Sequence, residues 1–193
     1  MKQIVREQLD KTISVLERVR ADDALLGDLA AAAEATAAAL LKGRKLMVAG
    51  NGGSAADAQH IAAELVGRFA FERPALPALA LSVNASCITA IGNDYGYEEI
   101  FARQLKALAN PGDVAVAIST SGNSPNVIQA VLSARGLGLF TIGISGTSGG
   151  RLRDLVDVLI AAPSEETPRI QECHILLGHA LCDAIEQAVC AEP

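Results

Sequence analysis

The sequence predicts an α/β fold: a doubly wound, parallel five-stranded sheet flanked by helices, with a helical pair at the N-terminus. Three observations carry that prediction. Five short runs are apolar on both faces, as strands buried from two sides must be. Helical stretches alternate with those runs, which is the order of a sheet covered by helices on both faces. Two of the runs end in loops rich in Gly, Ser and Asn that lead straight into helices, at Gly50 to Ser54 and Ser119 to Ser124.

Residues 1–43 read as the helical pair. In the first helix Val5, Leu9, Leu16 and Val19 fall on one stripe, with Ile13 beside it and charges opposite. The second starts at Asp22 or Asp23, either of which suits an N-cap, and runs through an Ala-rich stretch to Leu41 before Gly43 stops it. The first strand is expected over Lys45 to Ala49, and a helix from the following Gly loop to about Phe69. Ala78 to Ser82 is the second run and leads into a helical region ending near Gly92. Asp113 to Ser119 is the third, again followed by a loop and a helix. Leu139 to Ser145 and Val156 to Ala161 supply two more, and a last helix extends from about Thr167 to Val189.

Composition narrows the function. The 193 residues suffice for one well-filled domain, and 50% of them are hydrophobic. A formal charge of -6 and the lack of any Lys/Arg stripe argue against nucleic acid as a partner. Cys87, Cys173, Cys182 and Cys190 form no CxxC pair and read as reduced thiols. Charges throughout the first twenty residues leave no room for a secretory signal, and no uninterrupted apolar run reaches membrane-spanning length. The expectation is a cytoplasmic chain with no membrane partner.

Ser119-Thr120-Ser121-Gly122-Asn123-Ser124 is the loop suited to phosphate. Ser124 is a good N-cap, Pro125 fits the first helical turn, and the helix start offers free N–H groups with partial positive charge. Four hydroxyls surround that point, no Lys is present, and a monoester held by hydroxyls and amides fits better than a nucleotide cradle. The bland alternative is a capped turn with spare hydroxyls, and the density of hydroxyls after a buried strand tells against it. Gly50-Asn51-Gly52-Gly53-Ser54 lacks the spacing of a dinucleotide fingerprint and suits close approach of backbone and Asn51 to a sugar.

His60 and Glu64 are four apart on a helix and share a face. Gln171 and His179, eight apart on the last helix, lie within about 80° of each other, whereas His174 falls on the far side of Gln171. The four could converge on a metal such as zinc. Alternatively, Glu64 and His179 could be a general base and general acid. Local packing of each histidine is the third reading, and the spacing does not choose among them.

Together, Gly50-Asn51-Gly52-Gly53-Ser54 with Asp57, His60 and Glu64, Asn93-Asp94, the serine loop, and Arg169-Ile170-Gln171-Glu172 with His179 resemble the phosphoheptose isomerase family of the sugar isomerase (SIS) domain superfamily. The resemblance spans essentially residues 1–193 as a single SIS domain, with 1–43 used in packing and oligomerisation. It implies a homotetramer with shared active sites that converts sedoheptulose 7-phosphate to D-glycero-D-manno-heptose 7-phosphate for bacterial lipopolysaccharide. It implies substrate contacts from Asn51, Gly52, Gly53, Glu64, Asn93, Asp94, Ser119, Thr120, Ser121, Ser124 and Gln171. Glu64 and His179 would transfer protons, and zinc would sit on His60, Glu64, Gln171 and His179. Some members carry an Asp where this chain has Pro168, so no contact is carried over to 168. Two rivals remain: a non-catalytic SIS protein that binds a replication initiator, and an isomerase of a pentose or hexose phosphate. The first lacks the acid and imidazole present here as Glu64 and His179.

Overall fold

The computed structural model describes residues 1–191. Its helices are α1 (Lys2–Ala21), α2 (Asp23–Leu41), α3 (Gly53–Val66), α4 (Ala85–Tyr95), α5 (Ala102–Leu108), α6 (Pro125–Gly136) and α7 (Thr167–Ala191). The strands are β1 (Leu46–Gly50), β2 (Ala78–Ala80), β3 (Val114–Ile118), β4 (Phe140–Gly146) and β5 (Val158–Ala162). All five pair in parallel in the order β2-β1-β3-β4-β5.

Strand alternation divides the core in two. Leu46, Val48, Val114, Val116 and Ile118 face one side, where α1, α2, α3 and α7 cover them. Met47, Ala49, Ala115 and Ala117 face the other, against α5 and α6. A strand order that leaves β1 in opposite directions for β2 and β3 puts a switch point between β1 and β3. Open parallel sheets bind ligands at that place.

Most expected elements appear within a residue or two, and the departures have local causes. The second strand is only Ala78–Ala80, the three residues that pair with β1 at the sheet edge. Helix α3 stops at Val66 rather than near Phe69: Gly67 closes it, and the buried carboxylate of Glu186 takes the N–H groups of Phe69, Ala70 and Phe71. The short α5 was not expected, and neither were the 3-10 turns at Tyr97–Glu99 and Gly150–Asp154.

The first helix is covered by the domain only along its C-terminal half. Its buried residues are Val15 and Val19, whereas Val5, Leu9 and Ile13 are more than half exposed. Helix α2 starts as expected, with the Asp22 side chain accepting from the Leu25 N–H at 3.0 Å. By length and composition alone α2 could cross a membrane, although Asp28 and Glu34 interrupt its apolar run. Here it packs against α7 and β5 with Ala32, Ala33, Ala37 and Ala39 buried. Cys173 and Cys182 are buried thiols, pushed by burial up to about 11 and about 12, as unreactive core residues.

Candidate active site

The loops after β1 and β3 flank the switch point, and the side chains of Asn51 and Asn126 join them. Asn51 Nδ2 donates to Asn126 Oδ1 and Asn126 Nδ2 donates to Asn51 Oδ1, both at 2.8 Å. Gly52 takes φ 57° and caps the start of α3, a conformation that glycine adopts without strain. A Cβ on Gly53 would lie 2.4 Å from the amide nitrogen of Gln171, so that side chain rests directly over the α3 N-terminus.

The serine loop is held from behind by the loop after β4. Gly122 has φ 67°, and a Cβ there would sit 1.9 Å from the Gly149 carbonyl oxygen. Its own carbonyl accepts from Leu152 N–H, and Asn123 Oδ1 accepts from Arg151 N–H. Ser124 begins α6 but does not cap it with its side chain, as had been expected; its hydroxyl pairs with that of buried Ser119 at 3.0 Å. Ser121 Oγ accepts from Asn123 N–H within the loop. Thr120 and Ser121 line a polar depression of about 290 Å³ with Thr147, Ser148 and Ser164. The six-residue loop is therefore a braced turn that opens toward a polar hollow.

The histidines meet because α3 and α7 pack closely. A Cβ on Gly178 would already be 3.2 Å from Ile61 Cδ1, and the Cys182 thiol lies 3.9 Å from the Ile61 carbonyl oxygen. The neighbours of Ile61 and Gly178 are His60 and His179, whose Nε2 atoms come to 2.8 Å. One ring must then carry the proton that the other accepts. Glu64 Oε1 lies 3.2 Å from His60 Nε2, and one donor atom from each of His60, Glu64 and His179 falls within 4.8 Å of the others. Two imidazole nitrogens and a carboxylate oxygen form a donor set that suits zinc. Gln171, expected as a fourth ligand, is the residue lying over Gly53.

Several residues that the sequence reading passed over shape this place. The Glu186 carboxylate is fully buried and accepts from three backbone N–H groups and from Arg73 Nε at 2.8 Å. Burial alone would raise its pKa; the three amides and the guanidinium outweigh that and hold it at about 2. Arg73 also donates to the carbonyl of Glu64 at 3.0 Å, and the segment it ties down carries Phe69, whose ring centroid is 5.9 Å from that of His179. Asp57 is pushed above the ordinary carboxylate range by burial, with His60 pulling the other way, and its Oδ2 is buried without a partner. His174, on α7, is buried and kept below the ordinary histidine value by burial. Asn93 and Asp94 are exposed at the end of α4 and bond to each other at 2.8 Å; the tether from this segment to the loops is the Tyr97 hydroxyl on Asn51 Oδ1, at 3.2 Å.

A five-stranded parallel sheet with a braced serine loop at its switch point defines a SIS-domain protein. The SIS domain model matches residues 8–146, which ends before α7 and its His179. The chain is 55% identical over 183 residues to the phosphoheptose isomerase of Geobacter sulfurreducens, covering 95% of this chain and 96% of that one. Among solved structures, the phosphoheptose isomerase of Neisseria gonorrhoeae superposes with a TM-score of 0.90 at 42% identity, covering 96% of this chain and 98% of that one. The enzyme of that name from Francisella tularensis gives 0.91 at 39%, covering 96% and 97%. The chain belongs to the phosphoheptose isomerase family of SIS-domain proteins.

Proposed function

We propose that the protein is a sugar-phosphate isomerase that converts sedoheptulose 7-phosphate to D-glycero-D-manno-heptose 7-phosphate. The observation that carries the reading is the meeting of His60, Glu64 and His179 across α3 and α7, in a chain whose relatives bear the name phosphoheptose isomerase. A non-catalytic SIS protein has no need of a carboxylate and two imidazoles brought together in this way.

The phosphate end of the sugar is held at the serine loop by Ser119, Thr120, Ser121 and Ser124 and by the partial positive charge of the α6 N-terminus. Asn51, Gly52, Gly53, Asn93, Asp94 and Gln171 bind along the chain of hydroxyls. The C1–C2 end then lies against Glu64 and His179. Moving the carbonyl from C2 to C1 requires loss of a C1 proton and protonation of the C2 oxygen, giving a cis-enediol. Loss of the O1 proton and protonation of C2 complete the aldose. Glu64 takes and returns the proton at carbon; His179 moves the proton between the two oxygens. His60, Glu64, Gln171 and His179 would hold zinc, which when bound supplies Lewis-acid stabilisation of developing negative charge. The active unit in this reading is a cytoplasmic homotetramer, assembled through the exposed stripe of α1, that feeds heptose into lipopolysaccharide precursors.

A coupled assay with sedoheptulose 7-phosphate, run with chelator and with added zinc, tests the reading. Turnover that chelator lowers and zinc restores is expected. Absence of turnover in both conditions would favour the scaffold that binds a replication initiator, and faster turnover of pentose or hexose phosphates would reassign the substrate.

A further inference from the structure

We infer that Asn126 and Tyr97 are positioning residues that lock the Asn51 amide so that it offers the substrate one N–H donor and no acceptor. The inference rests on the sugar-phosphate reading above and concerns how that site selects atoms.

The hydrogen-bonding capacity of the Asn51 amide is almost fully used within the protein. A side-chain amide has two N–H groups and an oxygen that accepts two bonds. Asn51 Oδ1 accepts from Asn126 Nδ2 at 2.8 Å and from the Tyr97 hydroxyl at 3.2 Å, so its oxygen is filled. Asn51 Nδ2 spends one N–H on Asn126 Oδ1 at 2.8 Å and keeps one. The orientation of the pair is fixed from the Asn126 side. Asn126 is 2% exposed, and its Oδ1 also accepts from the Val127 N–H at 3.0 Å. Turning that amide over would set its NH2 group against the backbone N–H and break three bonds together. Turning Asn51 over would set its NH2 against the Asn126 NH2 and its oxygen against Asn126 Oδ1. The Tyr97 hydroxyl, which rotates to suit, fills the second acceptor position of the oriented Asn51 oxygen. What remains is a single N–H that can meet only an acceptor, such as a sugar hydroxyl or carbonyl oxygen.

The pair has a second effect. Asn126 lies in the first turn of α6, two residues past Ser124, and Asn51 lies in the loop after β1. Reciprocal bonds between them join the sugar loop to the phosphate loop across the switch point. Tyr97 extends the join to the segment that follows Asn93 and Asp94.

A double-mutant cycle read by calorimetric binding of sedoheptulose 7-phosphate, alongside steady-state turnover, tests this. Asn51→Ala and Asn126→Ala are each expected to weaken Kd by about 3–10-fold, the loss of one hydrogen bond. KM should rise more than kcat falls. The double variant should bind no more weakly than Asn51→Ala alone, because Asn126 acts only through Asn51. Tyr97→Phe changes a surface position and should fold normally. It should weaken binding by about 2–3-fold in the natural chain and not at all in the Asn51→Ala background. Multiplicative effects in either cycle, or Asn126→Ala and Tyr97→Phe proteins that bind like the natural chain, would overturn the inference. A natural chain that binds the sugar phosphate without turning it over would defeat the isomerase reading while Kd still tests the positioning claim.

Discussion

The serine loop works at the scale of single atoms. Its curvature exists because Gly122 has no Cβ: the space a methyl group would fill is held by the Gly149 carbonyl, and the backbone there is left-handed. Gly122→Ala must therefore either break the bracing from the loop after β4 or strain its own φ, at a cost of about 1–3 kcal/mol or more. Chemical denaturation should show the lost stability, and weaker binding of inorganic phosphate should accompany it. The glycines, serines and histidines of the site were legible in the sequence because the chemistry of each is carried by its own residue type and local spacing. Asn126, Tyr97 and Glu186 were not. Asn126 meets Asn51 from 75 positions away, and Glu186 meets Phe69 from 117. No local pattern announces a buried carboxylate whose partners are the backbone of a distant loop. The expected capping bond of Ser124 is absent, its hydroxyl pairing instead with that of Ser119.

At the scale of elements, the strands and long helices followed from periodicity, and the helix faces did so only in part. The apolar residues of α1 predict one buried stripe, but the domain covers only the C-terminal half of that helix. Val15 and Val19 are buried, while Ile4, Val5, Leu9 and Ile13, nearer the N-terminal end, are exposed. A sequence shows that a helix is amphipathic but not how far along its length its own domain covers it. Helix α4 has no fully buried residue at all; it was legible as a helix but not as a surface element. Burial of the outward α1 stripe by other copies is the assembly the proposed function calls for. Ile13→Glu, at a position already 54% exposed, should leave the fold and Tm nearly unchanged. It should shift the mass found by light scattering toward the monomer. A natural chain that is already monomeric would remove the shared-site model.

For the whole molecule, two buried carboxylates tie together pieces far apart in sequence, and both give the fold a defined response to acid. Burial would raise the pKa of Asp113, but the Lys45 ammonium at 2.7 Å and the N–H groups of Asn110 and Lys45 outweigh it and hold the carboxyl below its ordinary value. Glu186 is held at about 2 against an ordinary 4.5. A group whose folded pKa is depressed stabilises the fold fully above its unfolded value, and that contribution is lost as pH falls toward the folded value. The urea midpoint should therefore hold through neutral pH and fall as pH drops from about 4.5 toward 2. Glu186→Gln should be less stable at pH 7 and show a shallower fall. A variant with the same acid profile as the natural chain would show that the Glu186–Arg73 knot contributes nothing through its charge. Doubly wound topology was legible as a whole because alternation of apolar runs and helices admits few other packings. The strand order that creates the switch point came only from the structure, since run length and polarity carry no information on which strand lies beside which.

The central claim is that Glu64 and His179, brought together by α3 and α7, isomerise a sugar phosphate anchored at the serine loop. The most direct measurement compares the natural chain with Glu64→Gln, which keeps size and hydrogen bonding but removes the base, in turnover of sedoheptulose 7-phosphate and in its binding. The natural chain should turn the sugar over, and the variant should lose at least about 100-fold in kcat while still binding it. A Glu64→Gln protein with near-natural kcat would contradict the account.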